Sequence, residues 1–336
     1  MNILDLDHSG SVAAAVASVW QVARIEDADE FNELLEHVDG NLVHRRRGSL
    51  NATQSSIHLP GLAVDFTSLE ASFLMTATVR PGFVAYNIPL NRQTRHDYNG
   101  VASGDRRIFL HEPGAAVHIT GEKVRVCSIL WPAERWLGTY HTFFHQDPDL
   151  PAGGTVALEV APRDLARITS LVAEARRMLE KALADGTEWR QCWSILEGEL
   201  KLALMEASGP RVPMLEPSRH HRNLHALAAR CEEYLDDYPD ARLSLEDLCA
   251  VTGASARSLQ LAFRQQLATT PMRYLKLHRL HHLRRLLRQG GPPGATVQSI
   301  AAECGFCNMG QLAVEYKALF GESPSLTLAA GCRRAG

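Results

Sequence analysis

Between Leu245 and Pro271 the apolar positions fall at helical spacing in two blocks, separated by one glycine. Leu245, Leu248 and Cys249 stand at i, i+3 and i+4, on one face of a short helix. Ser244 precedes them and Glu246 and Asp247 fill the first turn, as an N-cap and the helix dipole favour. Gly253 stops that helix, because a tight exit needs a residue that tolerates positive φ. Ser255 caps a second helix at once, with Leu259, Phe263 and Leu267 on one face and Arg257, Gln260 and Arg264 on the other. Residues 268 to 271 end it in proline.

The same logic recurs downstream. Thr296 caps, Val297, Ile300 and Ala301 pack, and Gly305 turns. Asn308 caps the next helix, Leu312, Tyr316 and Phe320 pack, and Gly321 to Pro324 ends it. The copies run at an offset of 52 up to the glycine and 53 after it, so the second turn holds one extra residue. Each copy has the pattern of a helix-turn-helix, over 244–267 and 296–320. Two short amphipathic helices in a bundle would explain one copy, but not an internal repeat. Two reading helices on one chain can enter successive major grooves, which points to a DNA reader. From Pro271 to Gln289 a connecting helix is expected, apolar at Tyr274, Leu275, Leu277, Leu280, Leu283, Leu286 and Leu287. Its remaining surface reads as basic: Arg273, Lys276, Arg279, Arg284, Arg285 and Arg288. Gly290 to Gly294 then breaks the chain.

The first two-thirds patterns differently. A helix is expected at Phe31 to Val38. Eight short β-rich runs follow: Leu42–Arg47, Ser56–Leu59, Ala63–Leu69, Phe73–Val79, Phe83–Ile88, Arg107–Leu110, Ala116–Ile119 and Val124–Leu130. Breaks such as Pro60-Gly61, Pro81-Gly82 and Pro113-Gly114 separate them, the spacing of a barrel or sandwich. Helices are expected again from Pro162 to Leu183 and from Glu188 to Glu206, packing on the strands, forming a dimer interface, or both. Gly209 to Pro217 reads as a linker.

The run Ile300-Ala301 … Gly305-Phe306 … Leu312 … Tyr316-Lys317 … Phe320-Gly321 … Ser323-Pro324 resembles the AraC/XylS family of bacterial transcription regulators, over about the last third of the chain. By position, the resemblance implies base contacts from Arg257, Gln260 and Leu261 in the first reading helix, and from Met309 and Gln311 in the second. Gly310 and Val314 fall at reading positions with little to donate, so the first helix is expected to specify and the second to position. Backbone contacts are expected from Ser255, Arg264, Lys276, Asn308 and Lys317. Leu248, Gly253, Leu259, Phe263, Ile300, Gly305, Leu312 and Tyr316 form the turns and cores. The resemblance further implies an N-terminal cupin-like barrel that senses a small molecule and dimerises.

The fold class is therefore α+β and multidomain: an N-terminal cupin-like β-barrel with helices, then an all-α domain with two helix-turn-helix motifs joined by a connecting helix. The expected division is 1–160 sensor, 161–208 helical dimerisation or packing segment, 209–218 linker and 219–336 DNA-binding domain. The net charge of -3 looks wrong for a DNA binder until it is split. From residue 219 onward there are 15 Lys and Arg against 10 Asp and Glu, whereas the remainder has 20 against 28. Phosphate attraction is local to the C-terminal third.

Seven cysteines and no export signal point to free thiols in a reducing cytosol. Cys304 and Cys307 form a Cys-x-x-Cys, read as packing, redox-sensitive or metal-binding; no second ligand pair sits at zinc spacing, which favours packing. His44, His58, His96, His111 and His118 are metal candidates by type, but the cupin His-x-His with its glutamate is missing. His141 and His145 lack the intervening glutamate of a zinc protease motif. No catalytic residue, cofactor or metal is assigned, and no run of about 20 apolar residues is present for a membrane helix. The expectation is a cytoplasmic, homodimeric regulator of transcription, not an enzyme. Its partners are double-stranded DNA, an unknown small-molecule effector and, where it activates, RNA polymerase. The alternative is a cupin-type metal-dependent enzyme with a helical interaction module.

Overall fold

The computed structural model describes residues 20–25, 31, 38–44, 50–59, 61–91, 94, 96–150, 154–185, 189–215, 219–238, 243–267, 269–290 and 294–335. Its N-terminal half is two facing antiparallel sheets. Strands β1 (Trp20–Ile25), β3 (Ala52–Leu59), β4 (Leu62–Leu69), β11 (Val124–Pro132), β6 (Phe83–Pro89), β9 (Arg107–His111), β12 (Thr155–Glu159) and β13 (Met214–Leu215) form the larger sheet in that spatial order. Strands β2 (Val38–His44), β5 (Phe73–Val79), β10 (Ala116–Gly121), β7 (His96–Tyr98) and β8 (Val101–Ala102) form the smaller one. Among the described residues both sheets keep open edges, so the expected barrel is an open sandwich rather than one closed sheet.

Strand β11 shows why its sequence is apolar almost throughout. Cys127, Ile129 and Trp131 point outward into a core shared with helices. Val126, Ser128 and Leu130 point inward and line a cavity between the sheets. Period-two alternation puts both sets in apolar surroundings because both faces of this sheet are covered. The cover is α1 (Ala133–Phe144), α2 (Pro162–Asp185) and α3 (Arg190–Ala207). Ile168, Val172 and Leu179 of α2, and Leu200 and Leu204 of α3, are buried in that core. The two long helices thus pack on their own sheet. Tyr86 ties the layers together: the Trp136 indole N–H donates to its hydroxyl at 2.7 Å, and Ser208 bonds it at 2.7 Å.

Two expectations are corrected here. The helix at Phe31 to Val38 stops short, because Val38 pairs with Val79 as the first residue of β2; residues 32–37 lie outside the described set. The strand expected at Leu42–Arg47 begins earlier, at Val38, and 45–47 lie outside the described set. Within the expected linker, Met214 and Leu215 add an edge strand by pairing with Leu158 and Ala157.

The C-terminal third is helical: α4 (Arg219–Asp237), α5 (Leu245–Thr252), α6 (Ala256–Gln266), α7 (Pro271–Arg288), α8 (Val297–Glu303), α9 (Met309–Phe320) and α10 (Pro324–Ala335). It has two cores. One joins α4, α5, α6 and the start of α7 through Leu227, Leu248, Leu259, Phe263 and Tyr274. The other joins the rest of α7 to α8 and α9 through Leu283, Leu287, Ile300, Leu312 and Tyr316. Helix α7, begun by Pro271 and capped by Thr270, is common to both.

Candidate nucleic-acid interface

Each helix pair is set by local capping chemistry. The Ser244 hydroxyl accepts from the Asp247 N–H, and the Asp247 carboxylate accepts from the Ser244 N–H, a reciprocal capping box. Those Ser244 donors hold the Asp247 carboxyl below its ordinary pKa. Gly253 ends α5 at φ 66°, a conformation costly for any residue with a Cβ. Ser255 then caps α6 by accepting from the Ser258 N–H. In the second pair Thr296 and Ser299 form the box, and Gly305 turns at φ 81°. Asn308 caps α9, its Oδ1 accepting from the Gln311 N–H at 3.0 Å. Both cap oxygens therefore serve their own helices, leaving the Ser255 hydroxyl proton and the Asn308 amide N–H groups as their donors.

The outward faces differ in chemistry. Helix α6 buries Leu259, Ala262 and Phe263 and exposes Arg257, Gln260, Leu261 and Arg264. Helix α9 buries Leu312, Tyr316 and Leu319 and exposes Gly310, Gln311, Val314 and Lys317, with Met309 half-buried. Gln311 is bonded along its helix, Nε2 donating to Glu315 at 2.9 Å. Leu248, Leu259, Phe263, Ile300, Leu312 and Tyr316 are buried, and Gly253 and Gly305 have positive φ.

The basic surface expected on α7 is partly interior. Arg284 is buried, its guanidinium 4.6 Å from the Phe320 ring centroid and 3.3 Å from Glu322. Arg279 lies half-buried over the Phe306 ring. The Lys276 ammonium bonds Glu315 of α9. Burial alone would raise the Glu315 carboxyl, but Lys276 and Gln311 hold it below the usual range. Three of the six cations thus bind α7 to the second helix pair. Helical periodicity marks them as non-apolar but does not show which face the second pair will cover. Cys304 is buried in that second core and Cys307 is exposed, as a packing role for the first requires.

On the far side the helical domain meets the smaller sheet. Leu74 of β5 shares the core of Leu224, Leu227, Phe263 and Tyr274. Glu232 of α4, 6% exposed, accepts from the Tyr274 hydroxyl at 2.8 Å and bonds His118 Nε2 of β10. The Asn99–Gly100 turn abuts the buried end of α6: a Cβ at Gly100 would lie 3.2 Å from the Gln266 side chain. Sequence reasoning named His118 as a metal candidate and missed Glu232. The signal lay in α4, where Leu224, Leu227, Ala228, Cys231 and Leu235 make an apolar stripe and Glu232 falls four residues after Ala228. His96 and His111 bond Ser103 and Thr155, and the side chains of His44 and His58 lie outside the described set.

A family model described as a helix-turn-helix domain matches residues 248–330. Over 93 residues the chain is 40% identical to the "Probable thc operon regulatory protein" of Rhodococcus erythropolis, covering 28% of this chain and 28% of that protein. Over 99 residues it is 31% identical to the "XylDLEGF operon transcriptional activator 2" of Pseudomonas putida, covering 30% of this chain and 63% of that one. A solved probable AraC family transcriptional regulator from Rhodopseudomonas palustris CGA009 is 37% identical over 32% of this chain and 97% of that one, with a TM-score of 0.30. The C-terminal domain belongs to the AraC/XylS family. Because the match spans only 28% and 63% of the two curated relatives, the AraC/XylS membership is that of the domain. Within this domain, α6 and α9 are the second helices of the two capped pairs. No helix among the described residues is long and apolar enough to cross a membrane.

Proposed function

We propose that the protein is a sequence-specific transcription regulator that binds double-stranded DNA through α6 and α9 and responds to a small molecule held between the two sheets. One observation carries this reading: two capped helix pairs share α7, and each presents an outward second helix. Arg257 and Gln260 are the chief base readers, supported by their exposure near the start of α6. Leu261, Met309 and Gln311 complete the reading set. Ser255, Arg264, Asn308 and Lys317 hold phosphates, and Lys276 joins them only by leaving Glu315. The active species is a cytoplasmic homodimer that contacts RNA polymerase when it activates.

The test is selection of bound duplexes from a random library by the full-length protein at fixed salt. Enrichment of two short blocks about one helical turn apart is the expected result; a library that stays random with and without effectors sinks the reading. Arg257→Ala is expected to lose about 1–3 kcal/mol at one base position and relax specificity there, read by repeating the selection. Lys317→Ala is expected to weaken all sequences alike and flatten the plot of log affinity against log salt by about one unit. An unchanged slope removes Lys317 from the phosphate set.

A further inference from the structure

On the outward face of α9 the Gln311 residue is held twice. Its backbone N–H donates to Asn308 Oδ1 at 3.0 Å, and its side-chain Nε2 donates to Glu315, one helical turn on, at 2.9 Å. Glu315 is fixed in turn, because the Lys276 ammonium of α7 bonds the same carboxylate oxygen. Gln311 is exposed, and its outward neighbours Gly310 and Val314 have no polar side-chain atom.

This arrangement fixes which way round the Gln311 amide sits. An ionised carboxylate only accepts, so the amide atom that meets Glu315 has to be the nitrogen. Glu315 is ionised near pH 7: burial raises its carboxyl, but the Lys276 ammonium and the Gln311 amide outweigh burial and hold it below the usual range. Turning the amide over would set Oε1 against the carboxylate, two acceptors facing each other with no proton between them. Oε1 therefore points away from Glu315, and among the described residues nothing donates to it.

We propose that Gln311 reads an amino base, adenine or cytosine, in the major groove, and that Glu315 is the positioning residue that sets this preference. The proposal rests on α9 lying in that groove, as the DNA-binding reading above requires. Adenine offers its N6 amino group there and cytosine its N4 amino group, each a donor for Oε1. Guanine and thymine offer only acceptors, and set O6 or O4 against Oε1 instead. One proton of Nε2 is spent on Glu315, and the second is left for N7 of a purine, which places adenine ahead of cytosine. An amide free to turn over would lose the bias, since its nitrogen could then serve guanine or thymine.

The test puts the full-length protein and its variants through the duplex selection, then measures affinity for four duplexes that differ at one base pair. Gln311→Met keeps the side-chain length without the amide, so the position whose preference it erases is the one that Gln311 reads. At that position the wild-type protein is expected to favour adenine or cytosine on one strand about fivefold or more over guanine or thymine. Glu315→Ala is expected to bring the four duplexes within about twofold, with no loss on the weakest, since an anion near the phosphates is gone. A Glu315 that served only to join α7 and α9 would leave the preference in place when replaced. The double swap Gln311→Glu with Glu315→Gln is expected to restore it: position 311 then shows the base acceptors alone, and the amide at 315 donates to them. Guanine or thymine favoured at that position, no position relaxed by Gln311→Met, a preference unaltered in Glu315→Ala, or a swap that restores nothing each overturns the proposal. In all four cases an enriched site still upholds DNA reading, whereas a library that stays random sinks both.

Discussion

Gly331→Ala is expected to destabilise the second helix pair by about 3 kcal/mol while leaving the first intact. A Cβ at Gly331 in α10 would lie 2.3 Å from the Leu287 carbonyl oxygen and 2.7 Å from that of Arg288. These are backbone atoms in the last turn of α7, where the Gln289 N–H closes the helix onto Arg285 and Leu287. Neither side can rotate away, so α10 must lift from α7. Overpacking costs about 1–3 kcal/mol, and rigid neighbours put this site at the upper end. Lifting α10 also strains the buried bond in which the Tyr316 hydroxyl donates to Thr327 at 2.9 Å. The core of Ile300, Leu312 and Tyr316 should loosen, while that of Leu248, Leu259 and Phe263 stands apart. Hydrogen exchange by mass spectrometry should show amides of α8 and α9 losing protection and those of α5 and α6 keeping it. Gly310→Ala is the control: it sits in open space on α9, with only Asn308 Oδ1 near, at 3.5 Å. An unchanged melting temperature for Gly331→Ala would show that α10 docks less closely than its geometry indicates.

The helix pairs were legible in the sequence because their determinants are local. A cap, a stop and the next cap lie within about a dozen residues, as in Ser244, Gly253 and Ser255, and each leaves a residue type behind. Strands β4, β5, β6 and β11 were legible for a similar reason, as β-branched and aromatic runs between turn residues. What was hidden depends on partners distant in sequence. Short β7, β8 and β12 carry too few residues to show a period, and Val38 became a strand residue because Val79 pairs with it. Helix α1 escaped notice although Trp136, Tyr140 and Phe144 recur every four residues. The same limit applies to function. Arg257 and Gln260 could be placed on an outward face from spacing alone, whereas Arg284 looked equally available until Glu322 and Phe320 were seen to enclose it.

Glu232→Ala is expected to abolish whatever influence the cavity has on DNA affinity. The carboxylate holds the Tyr274 hydroxyl within the helical domain and the His118 imidazole across the domain contact, 114 residues away in sequence. Removing it takes away the carboxylate bond of both groups, a loss of about 3 kcal/mol at the contact. His118 also connects inward. Its backbone N–H begins the chain through Asn99 and Thr155 to His111, while its neighbours Val117 and Ile119 line the cavity directly. A ligand that seats against His111 therefore acts on the strand that carries the Glu232 partner. Ligand can change DNA affinity only to the extent that it favours one arrangement of the domains over another. With Glu232 gone, the arrangements no longer differ at this contact. The measurement is operator affinity with and without saturating ligand, for the wild-type protein, Glu232→Ala and His118→Ala. Both variants should give a ratio near one, and their double mutant should add nothing further, because each breaks the same bond. His118→Ala should keep more stability, since Tyr274 retains Glu232. A wild-type ratio persisting in either variant would place the coupling elsewhere on the sheet face, with Leu74 and the Asn99–Gly100 turn the next contacts to alter.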